Sequence, residues 1–265
     1  MLEIKDIHKT FNKGTVNQKI ALNGLSLHLK AGDFVTVIGG NGAGKSTMLN
    51  AIAGVWKPDS GRIIIDGDDV TNMPEHKRAK YLGRVFQDPM RGTAADMEIA
   101  ENLALAARRG KMRTLKWGIK KAERELYREK LLALDLGLEN RLSSKVGLLS
   151  GGQRQALTLL MASLEMPKVL LLDEHTAALD PKTAAKVLEL TDRIVNENKL
   201  TTLMITHNMH DAIAHGNRLI MLSDGQVMLD IAGEEKKNLT VETLLSKFYQ
   251  ASGEDFADDS VLLSK

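Results

Sequence analysis

The feature that most constrains this chain is a glycine-rich stretch between a strand pattern and a helical pattern. Phe34 to Ile38 are nearly all apolar, which is typical of a parallel strand buried on both faces. The residues that follow match G-x-x-x-x-G-K-[ST], and a helical pattern continues to about Gly54. In such a loop, backbone N–H groups face phosphate oxygens and the helix adds the positive end of its dipole. We therefore predict a nucleoside triphosphate site formed by Gly39, Gly40, Asn41, Gly42, Ala43, Gly44, Lys45, Ser46 and Thr47.

A second apolar run, Val169 to Leu172, supplies the carboxylates that such a site needs, because it ends in Asp173 and Glu174. An aliphatic run ending in Asp-Glu is common by itself, but downstream of a phosphate loop it predicts catalytic carboxylates. We expect Asp173 to hold Mg²⁺, directly or through water, and Glu174 to polarise the attacking water. In the loop itself, Lys45 brings a full charge to the β- and γ-phosphates, and the Ser46 hydroxyl is a ligand for Mg²⁺.

The composition is that of an ordinary globular protein of 265 residues. With 43% hydrophobic and 26% charged residues, collagen-like, disordered and disulfide-scaffold classes are excluded. The net charge of +2 implies no general attraction to nucleic acid, and the absence of cysteine excludes disulfides and thiol chemistry. The start of the chain lacks the apolar core of a signal peptide, and no window approaches the ~18 apolar residues that cross a bilayer. We therefore expect the chain itself not to be a membrane channel.

The order of the patterns predicts an α/β fold. Strands alternate with helices, which indicates a parallel sheet with right-handed crossovers. Strand patterns vanish between Pro89 and about Leu164, where Ala, Leu, Glu, Lys and Arg dominate and helices are expected. A hairpin is expected from Arg218 to Asp230, turning at Asp224-Gly225. We predict one domain over 1–265, with an α/β core from 1–87 and 165–250, a helical subdomain at 88–164 and a polar tail at 251–265.

A third motif distinguishes this chain from other P-loop proteins. Leu149-Ser150-Gly151-Gly152-Gln153-Arg154-Gln155 precedes a helical pattern, so it provides another helix N-terminus suited to phosphate. It resembles the signature motif of ATP-binding cassette (ABC) ATPases, and the order of P-loop, signature and Asp173-Glu174 strand matches that family. The further matches are Phe86-Gln87 for the Q-loop, Ala178-Leu179-Asp180 for the D-loop, Thr206-His207 for the switch histidine, and Phe11 for the adenine-stacking aromatic.

By this resemblance, which covers nearly the whole chain, the fold is a P-loop NTPase (RecA-like) core with an antiparallel β subdomain and an inserted α-helical subdomain. The resemblance implies ATP and Mg²⁺ as ligands, with Glu174 as general base and His207 holding the attacking water. Gln87 would bind Mg²⁺ and link the core to the helical subdomain. A second copy of the chain would cap each ATP in a two-fold dimer. The capping residues would be Ser150, Gly151, Gly152 and Gln153, with Asp180 as a further dimer contact.

Simpler interpretations remain for single residues. Phe11 is also explained as a core residue at a strand end, and Gln87 and His207 as ordinary polar groups. Asp180 is also explained as the N-cap of a helix that starts at Pro181. One position departs from the family, because His175 stands where Pro usually follows the catalytic Glu. Without the proline ring, φ at position 175 is less restricted, and the histidine adds a titratable group beside the site. We expect the activity to be retained.

The resemblance also implies a membrane partner. We expect a separate integral-membrane permease, a solute-binding protein, no nucleic acid, and a peripheral position at the cytoplasmic face of the cell membrane. Solute uptake is favoured; the alternatives are the ATPase of an exporter or lipid/lipoprotein extractor, and, last, a soluble ABC protein. The basic segment 108–121 is either a solvated helical face or a patch for anionic headgroups anchored by Trp117. Nothing in the sequence identifies the cargo.

Overall fold

The computed structural model describes residues 1–111 and 118–252, so Trp117 and the rest of 112–117 lie outside the described residues, as does most of the predicted tail. The chain divides into two compact units. One comprises Met1–Arg78 and the chain from Lys199 onward, and the other comprises Ala79–Asn198. Within the described residues, no helix combines the length and apolar character needed to cross a bilayer.

Strands and helices alternate along much of the chain, as the sequence predicts. The strands are β1 (Leu2–Phe11), β2 (Lys19–Leu29), β3 (Phe34–Ile38), β4 (Ser60–Ile65), β5 (Asp68–Asp69), β6 (Leu82–Val85), β7 (Val169–Asp173), β8 (Thr201–Ile205), β9 (Arg218–Ser223) and β10 (Gln226–Ala232). The α-helices are α1 (Lys45–Ala53), α2 (Glu75–Arg78), α3 (Ile99–Ala107), α4 (Lys121–Leu132), α5 (Gly151–Ser163), α6 (Pro181–Asn198), α7 (Met209–Ala214), α8 (Gly233–Lys237) and α9 (Val241–Ser252).

The first unit holds an antiparallel sheet with the order β2-β1-β4-β5. Leu2 and Ile4 of β1 are buried while Glu3 is half-buried and Lys5 is exposed, because alternate side chains of a half-buried strand face opposite sides. This sheet is the antiparallel β part of the predicted fold, and the fold class is confirmed.

The first unit also contains parallel strands. The strand order in this part of the unit is β10-β9-β3-β8: β3 pairs in parallel with both β8 and β9, whereas β10 pairs antiparallel with β9. Every residue of β3 is buried, which explains its unbroken apolar pattern. The hairpin of β9 and β10 turns at Asp224 and Gly225, both with positive φ (48° and 72°), so the predicted turn is confirmed.

The second unit begins and ends as α/β structure and is otherwise helical. Strands β6 and β7 pair in parallel. Between them, in the residues that the structure describes, lie α3, α4, α5 and three short 3₁₀ helices, at Pro89–Gly92, Leu138–Asn140 and Val146–Leu148. The helical character predicted between Pro89 and Leu164 is thus confirmed for the described residues, whereas the subdomain limits of 88 and 164 stay a prediction.

Candidate active site

The glycine-rich loop leads directly into α1. Gly44 caps the helix with φ +99°, and a Cβ there would lie 2.6 Å from the carbonyl oxygen of Ala21. Only glycine meets both conditions without displacement of the chain. Because α1 begins at Lys45, the N–H groups of its first turn are available to an anion, as the motif predicts.

A cavity of about 430 Å³ opens at this loop. It combines the backbone of the loop with one cationic side chain, one carboxylate and several apolar side chains, and the loop and the cation suit the phosphates of a ligand. Its lining residues are Lys19, Ile20, Asn23, Gly39, Gly40, Asn41, Gly42, Ala43, Met221, Ser223, Asp224 and Phe248.

The Lys45 side chain turns back along its own loop. It is 5% exposed, and its Nζ donates to the carbonyl oxygens of Gly39 (2.6 Å) and Gly40 (3.1 Å). The ammonium is therefore held inside the loop, next to the backbone that is expected to bind phosphate. Ser46 is exposed and Thr47 is half-buried at the start of α1.

Phe11, the predicted adenine-stacking residue, lies at the end of β1. It is half-buried, and its ring meets that of Trp56 edge-on, with 5.4 Å between centroids and an 81° interplanar angle. Its partner in the β1–β2 register is Lys19, a cavity residue. The pairing of β1 with β2 thus places Phe11 beside the cavity. Stacking of its ring on the adenine base stays a prediction.

His207 shares an edge of the sheet with the glycine-rich loop. In the β3–β8 register Val37 pairs with Ile205, and the Thr206 N–H donates to the Val37 carbonyl at 3.1 Å. Gly39 comes two residues after Val37, and His207 comes two residues after Ile205. Both therefore lie at the carboxyl ends of β3 and β8, where α/β sheets bind ligands. His207 is half-buried, and the next residue, Asn208, caps α7.

In the second unit, predicted site residues likewise follow the carboxyl ends of two paired parallel strands. Val85 of β6 pairs with Leu172 of β7, so Gln87 and Glu174, each two residues further on, leave the same edge of the strand pair. Gln87 is exposed, and Glu174 is half-buried with φ +48°. The predicted Mg²⁺ ligand and the predicted base are thus grouped within one unit.

Asp173 carries a partly compensated charge. Its Oδ2 lies 3.5 Å from Nη2 of Arg84, and the two side chains are 18% and 14% exposed. Burial raises the pKa of the Asp173 carboxyl above its usual range, and the Arg84 guanidinium opposes that rise. Ionisation of a buried carboxylate is unfavourable in the protein alone, so a bound cation that compensates the charge stabilises it strongly.

The signature motif forms the first turn of α5. Ser150 caps this helix: its Oγ accepts from the Gln153 N–H (3.3 Å), while Gln153 Oε1 accepts from the Ser150 N–H (3.2 Å). Gly152 is buried against α6, since a Cβ there would lie 2.1 Å from Cγ2 of Thr183. Ser150 and Gly151 are exposed at the helix N-terminus, which leaves that end accessible to a ligand.

Two contacts tie the other motifs to these helices. Gln155, fully buried in α5, donates from Nε2 to the carbonyl oxygen of Phe86 (3.3 Å), the residue before Gln87. Asp180 is exposed and accepts from the Thr183 N–H through Oδ1 (3.1 Å). Hydrogen bonds from the Thr183 hydroxyl and from the Thr183 N–H lower the pKa of the Asp180 carboxyl. Asp180 is therefore the predicted N-cap of α6, and its dimer contact stays a prediction.

Sequence reasoning missed several of these residues. Arg84 and Lys19 reach the site through tertiary structure, and no local pattern identifies them. Gln155 offered one signal, because it lies inside the quoted signature motif on a helix with an apolar face.

Comparisons with known proteins identify the class. The ABC transporter family model matches residues 22–177. A tyrosine transport ATP-binding protein of Clostridioides difficile (strain R20291) is 50% identical over 252 residues, 95% of this chain and 100% of that protein. The spermidine/putrescine import ATP-binding protein PotA of Haemophilus influenzae is 33% identical over 231 residues, 87% of this chain and 57% of that protein.

Solved structures agree. The dimeric structure of a post-hydrolysis state of the ATP-binding cassette MJ0796, bound to ADP and Pi, has a TM-score of 0.74 and 31% identity, covering 88% of this chain and 98% of that one. This chain belongs to the ABC transporter family. It is an ATP-hydrolysing, ATP-binding subunit of a transporter, in a family whose cassettes form dimers.

Proposed function

We propose that this chain powers the uptake of tyrosine or a related aromatic amino acid through a separate integral-membrane permease. The observation that supports this choice of cargo is the 50% identity to a tyrosine transport ATP-binding protein, which extends over the whole of that protein. The direction is supported by the likeness to PotA, an import protein by name. In this proposal the chain sits at the cytoplasmic face of the membrane, and a solute-binding protein delivers the cargo.

The glycine-rich loop and Lys45 bind the triphosphate of ATP. The α1 N-terminus and the Lys45 ammonium oppose the phosphate charge, and Phe11 stacks on the adenine ring. Ser46, Gln87 and Asp173 hold Mg²⁺, for which their hydroxyl, amide and carboxylate oxygens are suitable donors. When bound, Mg²⁺ neutralises charge on the β- and γ-phosphates.

Glu174 accepts a proton from the attacking water, and His207 holds that water at the γ-phosphate. Ser150, Gly151, Gly152 and Gln153 of a second copy close over the nucleotide, with Asp180 at the same interface. A two-fold arrangement gives both sites the same composition. ATP then joins the two copies, and its hydrolysis lets them separate.

Capture from membranes tests the partners. The tagged full chain carrying Glu174→Gln, loaded with ATP, is used as bait in solubilised native membranes, and bound proteins are identified by mass spectrometry. A polytopic permease with a solute-binding protein supports uptake. A permease without one favours the exporter alternative, and ribosomal or DNA-repair proteins without any membrane protein refute the transporter assignment.

Reconstitution tests the cargo. The chain and the captured permease are placed in proteoliposomes with the binding protein, and ATP hydrolysis is measured with tyrosine, with phenylalanine and with spermidine. Stimulation by the aromatic amino acids alone supports the proposal. Equal rates with all three, or stimulation by spermidine alone, would overturn it.

A further inference from the structure

The residue after the proposed base is a buried histidine with a defined partner. His175 is 2% exposed, and its Nε2 lies 3.0 Å from Oγ1 of Thr191 on α6, which is 1% exposed. A buried imidazole needs its polar atoms satisfied, and this contact satisfies Nε2. His175 is therefore part of the packed structure beneath the site, where the family usually has Pro.

The bonding of Thr191 sets the direction of this contact. Its hydroxyl donates to the carbonyl oxygen of Val187, one turn earlier in α6, at 2.8 Å. Because a hydroxyl has a single proton, Oγ1 is left as an acceptor toward His175. Nε2 of the imidazole is thus protonated and donates a hydrogen bond to Oγ1 of Thr191.

This bond spans the segment between the end of β7 and α6. Glu174 has φ +48°, a left-handed conformation that a non-glycine residue keeps only where the surroundings hold it. The backbone then turns through two local bonds, Ala177 N–H to Glu174 O (3.0 Å) and Leu179 N–H to Thr176 O (3.1 Å). The hydrogen bond from His175 to Thr191 connects the start of this segment to the middle of α6.

We propose that His175 is a positioning residue for the proposed base: its hydrogen bond to Thr191 holds the backbone at Glu174 in the conformation that directs the carboxylate. The inference rests on the proposed role of Glu174. The bond makes one arrangement of the segment favourable, since any other leaves a buried donor without its acceptor. A misplaced carboxylate slows the chemical step without weakening ATP binding.

The test uses paired variants of the full chain. Thr191→Val removes the acceptor at nearly constant shape, and Thr191→Ser keeps it. His175→Phe keeps a ring without the donor, and His175→Gln restores an N–H at about the reach of Nε2. We expect Thr191→Val and His175→Phe to lower kcat roughly tenfold or more, since a displacement of about 1 Å can cost a hundredfold. Thr191→Ser and His175→Gln should recover most of that loss, and the Kd for ATP should stay unchanged throughout.

Two further variants separate the possible failures. Thr158→Val removes a buried hydroxyl that donates within α5, to Gln155 O at 2.7 Å, and should leave kcat within about twofold while reporting any general loss of stability. Glu174→Gln reports on the base itself. Normal kcat in Thr191→Val and His175→Phe with an inactive Glu174→Gln would overturn this inference alone, whereas normal turnover by Glu174→Gln would refute the proposed base. Equal losses of kcat in the valine and serine variants at 191 would also overturn the inference.

Discussion

Arg84 and Asp173 lie on adjacent parallel strands with 3.5 Å between Nη2 and Oδ2, and both side chains are largely buried. The Arg84 guanidinium also lies 4.5 Å from the centroid of the Phe86 ring, which helps to hold it in place. Burial nevertheless outweighs this guanidinium, so the pKa of Asp173 is raised. In the protein without Mg²⁺, the negative charge of Asp173, the proposed metal ligand, therefore lowers the stability of the fold.

This cost predicts a pH dependence of stability. The carboxyl has a pKa of about 3.9 in the unfolded chain and a higher one in the fold, so its contribution is fully present below about pH 3.9 and is lost as pH rises through the higher value. Asp173→Asn stays neutral. Without nucleotide and Mg²⁺, urea unfolding from pH 4 to 8 should therefore show the variant gaining stability relative to wild type as pH rises. A difference independent of pH would contradict the raised pKa.

Loss of the Lys45 ammonium should weaken ATP binding itself. A hydrogen bond to a charged group contributes about 1.5–3 kcal/mol, so Lys45→Ala should raise the Kd for ATP by about 10- to 100-fold. Isothermal titration calorimetry measures this directly. Lys77→Ala removes an exposed lysine of the same unit and serves as the control. An unchanged Kd for Lys45→Ala would undermine the assignment of the loop.

Glu174→Gln should stop turnover without preventing ATP binding. General-base catalysis contributes about 10²- to 10⁴-fold, and phosphate release should fall by that amount. The variant should accumulate as an ATP-bound dimer, detected by light scattering after gel filtration. Glu189→Gln changes an exposed glutamate on α6 and should behave as wild type. Rapid hydrolysis by Glu174→Gln would remove Glu174 as the base.

The close approach of α5 and α6 predicts a suppressor pair. In Gly152→Ala the new Cβ would lie 2.1 Å from Cγ2 of Thr183, an overlap that should cost about 1–3 kcal/mol and displace the signature turn. Its ATPase rate should fall. Adding Thr183→Ser removes Cγ2, keeps the hydroxyl that bonds to Asp180 and leaves Cβ atoms 3.6 Å apart, an ordinary contact, so the rate should recover. No recovery in the double variant would show that Gly152 acts through something other than this contact.

A buried arginine fastens the end of α1. Arg78 is 0% exposed and donates to the carbonyl oxygens of Ala51 (2.6 Å), Ile52 (2.9 Å), Met73 (2.8 Å) and Thr71 (2.9 Å). Arg78→Met should lower the free energy of unfolding by about 3–5 kcal/mol, because buried carbonyls lose their donor. Urea unfolding measures the loss, and the exposed Arg62→Met should change stability by no more than about 0.5 kcal/mol. A loss below that of the control would contradict this role for Arg78.

Sequence reasoning succeeded where structure is set locally. The strand, glycine loop and helix around Gly44, and the turn at Asp224-Gly225, follow from residue types within a few positions of one another. Strand β6 was missed because four residues, LGRV, offer neither length nor a clean alternation.

The supporting contacts of the site could not be predicted for a different reason. Arg84 and Asp173 are 89 residues apart, and Arg78 lies 27 residues after Ala51. Even His175 and Thr191, which are 16 positions apart, are separated by a turn whose path only the packed helix determines. A motif identifies the groups that do chemistry, whereas the groups that hold them are chosen by tertiary packing.

The division of the chain has a consequence for its synthesis. Strand β3 pairs with β8 and β9, which leave the ribosome more than 160 residues after Ile38. At about 5–20 residues per second, β3 waits roughly 10 to 30 s for its neighbours. Throughout that time an apolar strand has two unpaired edges, the feature that invites wrong pairing between nascent chains. The unit that carries the glycine-rich loop is the first to be started and the last to be completed.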